Sequence, residues 1–505
     1  LGRVGVRRIA EALREPKVWF VIYLALWLCV NILTLTWWPQ WDSNGDESLH
    51  ASCAMGIWKY GAVRSEMLPG SYLGQYGYGM LSGWIYYGIL ALFLKVFGVQ
   101  LFWARMVSLL SGAFALWFTY MTAKELGSAR AGFLAALLTG GMEVVGYVSR
   151  YTRTDATLMG FVALSLLIFV MAVKRDRASL FLISGFVGAI AFLVRPLNLF
   201  LIPAILALLL LYRRWRGALW FTVGVAAATC IILFTNYLPY RTYPILRDID
   251  QPNSRVVPIL LLHMRLRDVL VVIKDHLVVW ARFFAVPRLW PVMGLFNLCL
   301  IGTVLCAFLE RKNILPLLFA AMFLSSLVTW PGIRYEYAAL FAPVLALGCA
   351  FAFVRWRRLF LIAAAVGIGF GAYQFSEIVR GDRNARLFSI CRDISSAIPR
   401  GSVVIGNWSW FWWPTYGLAR YIYLHGMYEG LGPGSLSDLA SEFGADFVII
   451  GYVRNPPGSP WLRCLSLEEK DLRYLSTLER VKAYPARGIV QLGQADSIVI
   501  YRVKR

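Results

Sequence analysis

Residues 18–50 read VWFVIYLALWLCVNILTLTWWPQWDSNGDESLH. From Val18 to Trp38 the run is apolar and as long as the ~20 residues a helix needs to cross a bilayer core. Trp37, Trp38 and Trp41 then form the aromatic belt expected where a span meets water. Asp46 and Glu47 follow directly. The basic segment before the run, LGRVGVRRIAEALREPK, leads into it and no small-residue cleavage site follows, so it reads as a retained first span. A second acid, Asp155 in SRYTRTDATLM (149–159), opens a later apolar stretch. Carboxylates at membrane boundaries are costly and tend to be functional. If the two acids share a side, they form one site with lipid on one flank and water on the other, which suits an enzyme with a lipid donor and an aqueous acceptor.

Composition agrees with a polytopic α-helical membrane protein. Of 505 residues, 59% are hydrophobic and 15% charged, and mean hydropathy is +0.61, outside the range of soluble chains. The formal net charge is +22, but the basic residues sit in short clusters between apolar runs, which argues against nucleic-acid binding. These clusters are Arg3, Arg7, Arg8 and Arg14; Lys124 and Arg130; Lys174, Arg175 and Arg177; Arg213, Arg214 and Arg216; Arg311 and Lys312; and Arg355, Arg357 and Arg358. The positive-inside rule assigns all of them to the cytoplasm.

Three apolar stretches lie between Asp46 and Asp155, at roughly 79–98, 100–123 and 131–148. If all three cross, the acids face opposite compartments. If two cross, the KELGSAR loop is cytoplasmic and both acids face outward. The first stretch, with its Gly- and Tyr-rich YGYGMLSGWIYYG, is the weakest spanner and reads as an interfacial or re-entrant helix. Further spans follow at 155–173, 179–194, 197–212, 217–237, 288–309, 313–330, 336–353 and 359–376, about 11 crossings in all. Outer loops are expected at about 39–99 and 238–287. Residues 1–376 then form the membrane domain and 377–505 an extracytoplasmic domain. In the tail, SVVIG, DFVIIGY and DSIVIYRV read as strands between helical stretches, giving a small α/β domain, and Ser435 with Asp438 resembles a capping box.

Eight cysteines are scattered; Cys53, Cys391 and Cys464 fall outside predicted spans, with no CxxC pair. NWSWFWWP (407–414) can stack on sugar faces or seat the outer domain on the membrane. Neither an inverted repeat nor paired broken helices, the marks of a transporter, are visible.

The acidic pair after the first span, FGVQLFWARMVSLLSGAFALWFTYMTAKELGSARAGFLAALL (97–138), and SRYTRTD opening a helix together resemble the GT-C superfamily of polyprenyl-phosphate-sugar glycosyltransferases. The branch most similar contains the protein O-mannosyltransferases and the lipid A aminoarabinose transferases. The resemblance covers about 18–200 and is mainly topological beyond. It implies a GT-C fold in the inner (cytoplasmic) membrane, with the active site on the outer face. It also implies inverting transfer of one sugar from a polyprenyl-phosphate donor to a glycan, lipid or protein acceptor. The family's first-loop catalytic base matches Asp46, with Glu47 as its neighbour, and its second site acid matches Asp155. RYEYAALFAP (334–343) resembles the Arg-Tyr turn opening a late span in this family. The Lys-Pro-Pro turn of aminoarabinose transferases is absent, GQYGYG (74–79) standing there instead, so their donor preference does not carry over.

Chemistry asks for the same residue types. A hydroxyl nucleophile needs a carboxylate to take its proton, for which Asp46 is the candidate. The phosphate leaving group needs a cation, for which Arg195 in LVRPLN and Arg334 in WPGIRYEYAAL stand at boundary positions. Arg241, Arg247, Arg255 and Tyr335 are weaker candidates for substrate contacts. His50, four residues after Asp46, can share with Asp46 and Asp155 a divalent ion such as Mg, Mn or Zn. Plainer roles stand beside these: Asp46, Glu47 and Asp155 can cap helices, and Arg195 and Arg334 can snorkel to headgroups. A transporter of lipid-linked sugar and a non-catalytic polyprenyl-phosphate scaffold remain the alternatives. Nothing in the sequence selects the sugar, the acceptor or an oligomeric state.

Overall fold

The computed structural model describes residues 15–37, 46–61, 63, 65–67, 83–234, 266–285, 290–309, 314–329, 335–380, 385–424, 435–453, 469–485 and 495–503. Arg241, Arg247, Arg255 and Arg334 lie outside them, and so does the side chain of Asp46. Among the described residues six helical segments are long and apolar enough to cross a membrane: Pro16–Thr34, Leu101–Glu125, Thr154–Arg175, Trp215–Ile232, Tyr335–Val354 and Arg357–Ser376. A bent pair, Ala129–Gly141 with Glu143–Arg150, makes a seventh if it is one span. Five shorter apolar helices accompany them. The protein is an integral membrane protein. Large apolar side chains such as Val21, Leu33, Phe234, Phe308, Leu361 and Ile368 are exposed along these helices, which is the surface that lipid tails cover, because lipid is as apolar as the side chains themselves.

Burial separates inner from outer spans. Most of Tyr335–Val354 (89%) and Thr154–Arg175 (72%) is enclosed by protein, against 22% of Pro16–Thr34 and 17% of Arg357–Ser376. The two most enclosed spans open with Tyr335–Glu336–Tyr337 and with Thr154–Asp155. Polar groups are therefore delivered to the centre of the bundle at one of its ends. Where helices meet without a hydrophobic driving force, small residues let backbones approach. Helices Ala178–Ile190 and Trp215–Ile232 cross at Gly185 and Gly224, where an added Cβ would lie 2.1 Å from the Phe221 carbonyl and 2.0 Å from that of Leu182.

The stretch expected as one span at 131–148 is broken: its two helices meet at 67°, with Met142 extended between them. Gly141 lets the span Arg357–Ser376 approach at the break, since a Cβ on it would lie 2.7 Å from the Gly367 carbonyl. Carbonyls near the break need donors, because the bilayer offers none. Trp27 Nε1 donates to Gly140 O (3.3 Å), Gln374 Nε2 to Gly141 O (2.8 Å) and Tyr23 Oη to Leu137 O (3.4 Å). Arg150, at the end of the second piece, donates to Asn31 and Gln374, so three spans are tied at the bend.

A further departure concerns one of the two loops expected outside. Residues 238–287, expected as loop, include the 20-residue helix Leu266–Ala285. Val269, Val272, His276 and Trp280 make its buried stripe, while Arg267, Lys274 and Asp275 belong to the polar remainder that disguises it. His276 Nδ1 lies 3.0 Å from Leu327 O, and the Trp280 ring meets Phe323 and Phe341. In the 79–98 stretch, Trp84–Phe97 is a 14-residue helix, roughly 21 Å long, too short to cross the core unaided.

Helix Arg357–Arg380 runs through the expected boundary at 377. Beyond it, five strands form a mixed sheet in the order β2-β1-β3-β5-β4: β1 Val403–Gly406, β2 Arg420–Tyr423, β3 Phe447–Val453, β4 Glu479–Pro485 and β5 Ala495–Arg502. β1 pairs in parallel with β2 and β3, and β5 lies antiparallel to β3 and β4. The capping box forms, Asp438 N donating to Ser435 Oγ (3.1 Å) and Ser435 N to Asp438 Oδ2 (2.9 Å). This sheet is tied to the loop after the first span, Tyr423 N donating to Met67 O (2.9 Å). Trp408, Trp410 and Trp412 are buried, and the turn Ser409–Phe411 packs on helix Asp46–Tyr60. Trp408 packs within the C-terminal domain itself, its ring over Gly451 of β3.

Candidate active site

Six charged side chains gather where helix Asp46–Tyr60, helix Leu101–Glu125 and the starts of the two enclosed spans converge. Glu47, the second residue of its helix, is buried and receives Arg105 through both oxygens, Nε to Oε1 at 2.9 Å and Nη2 to Oε2 at 2.8 Å. The remaining capacity of Glu47 Oε1 goes to the backbone N–H of Thr152 (2.9 Å). Arg105 also donates to the carbonyl of Leu35 at the end of the first span (2.8 Å) and lies over the Tyr151 ring. Burying a carboxylate is tolerable only with such full pairing. This bidentate fork fixes the first span, the first-loop helix and the Tyr151–Thr152 turn as one unit.

A second knot adjoins it. Arg153 is extended just before its helix, its N–H donating to Ser108 Oγ (3.2 Å) and its carbonyl accepting from the same hydroxyl (3.1 Å). Its guanidinium donates from Nε to Asp155 Oδ2 (3.1 Å) and from Nη2 to Glu336 Oε1 (2.8 Å). Asp155 lies in the first turn of its helix, where the N-terminal dipole favours an anion. The other Asp155 oxygen accepts from Arg195 Nη1. Arg195 precedes Pro196, which holds it extended, and it donates from Nη2 to the Tyr337 hydroxyl (3.1 Å). The Arg195 side chain is 22% exposed, against 7% for Arg153 and none for Asp155, so it is the cation of this knot with the most open face.

His50 stands beside the first knot, Nδ1 2.9 Å from Tyr87 Oη, its ring against Tyr86 and Tyr87. Tyr335, from the same turn as Glu336, packs edge-on against Tyr147. Of the residues named for a divalent ion, Asp155 and His50 are described with their side chains, and each is otherwise engaged. Asp155 is held between two arginines and His50 is engaged with Tyr87. Among the described residues no group of three His, Cys, Asp or Glu side chains is placed to hold a metal.

Of the expected site residues, Asp155 and Arg195 meet at the second knot and Glu47 belongs to the first; His50 lies one helical turn after Glu47, in the helix that Asp46 opens, and Tyr335 packs on Tyr147. Arg105, Arg153, Glu336 and Tyr337 were not expected there. Each had a signal: the two arginines interrupt apolar or boundary sequence in FWARMV and SRYTRTD, and Glu336 and Tyr337 follow Arg334 in RYEYAAL.

Residues 83–240 match the family model of dolichyl-phosphate-mannose-protein mannosyltransferases. By sequence, no curated protein matches the chain. In fold, the chain is similar to ArnT from Cupriavidus metallidurans bound to undecaprenyl phosphate, with a TM-score of 0.64 at 12% identity over 96% of this chain and 98% of that one. The apo state of the same protein gives 0.64 at 13% identity over the same shares. The archaeal oligosaccharyltransferase AglB from Archaeoglobus fulgidus, in complex with an inhibitory peptide and a dolichol-phosphate, gives 0.53 at 13% identity over 86% of this chain and 69% of that one. The chain has the GT-C fold of these proteins.

Proposed function

We propose that the protein moves one monosaccharide from a polyprenyl-phosphate donor to an acceptor on the outer face of the inner membrane, with inversion and with Asp46 as general base. The observation that carries this reading is the knot Asp155–Arg195–Tyr337, a guanidinium 22% exposed and held between a buried acid and a phenol at the start of the two most enclosed spans. A lipid phosphate needs such a cation at the membrane boundary.

In the reaction, the acceptor oxygen bonds to the anomeric carbon as the bond from that carbon to the phosphate oxygen breaks. The acceptor's proton passes to the Asp46 carboxylate. The electron pair leaves with the polyprenyl phosphate, whose added charge Arg195 offsets, with Arg334 as second cation. Asp155 holds Arg195 in orientation, and Arg153 and Glu336 hold Asp155. What favours Asp46 over its neighbour is that Glu47 is already committed to Arg105 and to the Thr152 N–H, which leaves it a structural strut.

The test is transfer from a panel of radiolabelled polyprenyl-phosphate sugars by purified protein in detergent with native membrane extract, wild type against Asp46→Asn. Transfer lost in the variant while donor binding persists supports both enzyme and base. Equal transfer removes Asp46 from that role. Failure with every donor, together with movement of donor across liposomes, points to transport instead.

A further inference from the structure

Away from the arginine knots, a cleft of about 540 Å³ opens between the far end of helix Asp46–Tyr60 and the outer domain. Trp58 and Lys59 line one wall, Trp412, Tyr416 and Arg420 the other, and Glu66 lies between them. We propose that this cleft binds saccharide units of the acceptor, so that the acceptor is a glycan or a glycan-bearing lipid several sugars long. The proposal deepens the transfer reading and rests on it.

Three observations support the assignment. Its volume falls within the range of small-molecule sites, and its chemistry combines aromatic surfaces with a few fixed polar groups. The part-exposed Tyr416 ring is backed by the buried Trp412, ring centroids 4.9 Å apart at 59°, and the exposed Trp58 indole is fixed by its N–H to Ala91 O (2.8 Å) with the Lys95 ammonium 3.6 Å from the ring centroid. Pyranose rings present C–H faces that such rings stack on and edge hydroxyls that charged groups bind. The polar partners are present: Lys59 Nζ lies 3.5 Å from Glu66 Oε1, a pair able to donate to and accept from hydroxyls.

The walls are also preformed. Ser52 Oγ and Ser65 Oγ are 2.7 Å apart, Met67 N donates to Ser65 Oγ (3.2 Å), and Tyr423 N donates to Met67 O. These bonds tie the helix, the following loop and β2 beside the cleft, so little ordering is needed on binding.

Position sets the role. Glu47 and Trp58 share one continuous helix, which separates them by roughly 16 Å along its axis. A sugar in the cleft is therefore remote from the reacting carbon and belongs to a distal part of the acceptor chain.

The experiment titrates full-length purified protein in detergent with tetrasaccharides of glucose, galactose, mannose and N-acetylglucosamine, read by calorimetry, for wild type, Glu66→Gln, Tyr416→Ala and Asp155→Asn. The expected result is binding of at least one tetrasaccharide, weakened about tenfold or more by Glu66→Gln and by Tyr416→Ala and retained in Asp155→Asn. Circular dichroism and elution profile show whether each variant is folded, and Glu66→Gln serves if Tyr416→Ala is not. Failure of all four sugars, or binding indifferent to the cleft variants, overturns the proposal. Saccharide binding without any transfer keeps the cleft assignment and removes the transferase reading. Transfer with no saccharide binding does the reverse.

Discussion

Arg195 donates a hydrogen bond to the carboxylate of Asp155 across the bundle, so the cation suited to a lipid phosphate and the acid of the same site hold each other. Removing the acid takes the carboxylate partner from Arg195 and one of two from Arg153, which keeps Glu336. Asp155→Asn is expected to cost about 3 kcal/mol in stability, the usual scale for breaking a buried pair. Transfer is expected to fall about 10²-fold, the scale of losing one oriented transition-state group. Thermal unfolding and initial rates check both, and an unchanged rate would remove the knot from catalysis.

Glu47 and Arg105 make a second, closed pair. Either Glu47→Leu or Arg105→Met alone leaves an uncompensated buried charge and is expected to cost about 3 kcal/mol or more. The double variant should cost much less than the sum, because the stranded charge is gone in both partners. A double-mutant cycle on unfolding midpoints reads this directly, and strict additivity would show that the pair does not act as a unit.

Glu66 gives a pH signature. Burial pushes its carboxyl above the ordinary 4.5, more strongly than the nearby Lys59 ammonium lowers it. The folded state thus holds a proton that the unfolded state releases, and stability falls as pH rises through the window just above 4.5. The unfolding midpoint of wild type relative to Glu66→Gln should therefore drop between about pH 4 and the raised value. A rising difference would mean that the Lys59 pairing dominates.

Gly185→Val tests the closest helix crossing. The new side chain meets the Phe221 backbone, which cannot rotate aside, and overpacking of this kind costs about 1–3 kcal/mol. Gly369→Val, at a position with nothing within 4 Å, is the control for helix propensity alone. Equal midpoints for the two would show that the crossing tolerates a wider spacing.

The fold was legible where its signal was local. Uniform apolar runs marked Leu101–Glu125 and Thr154–Arg175 to within two residues, and three of the five strands followed from their β-branched runs. What escaped depended on partners distant in sequence. The break at Met142 needs Trp27 and Gln374 as donors, helix Leu266–Ala285 needs the face offered near Leu327, and the short strands RYIY and ERVKAYP are specified by neighbours more than by their own sequence. The site divides in the same way. Asp155 and Arg195 stood out as charges at span boundaries, whereas the pairing of Glu47 with Arg105 and of Arg153 with Glu336 is a tertiary fact. Sequence therefore offered Glu47 as a catalytic partner to Asp46, without a sign of the Arg105 and Thr152 bonds that hold it.

The Arg153–Glu336 bond also orders events during synthesis. Its partners are 183 residues apart, an interval of roughly 10–35 s at ordinary elongation rates. During that time Arg153 has Asp155 beside it but no second acid, and the Tyr335–Val354 span that will enclose them has not left the ribosome. A nascent chain stalled before residue 335 would expose a half-built polar knot at the bilayer surface, a recognisable signal for the membrane's quality-control proteases.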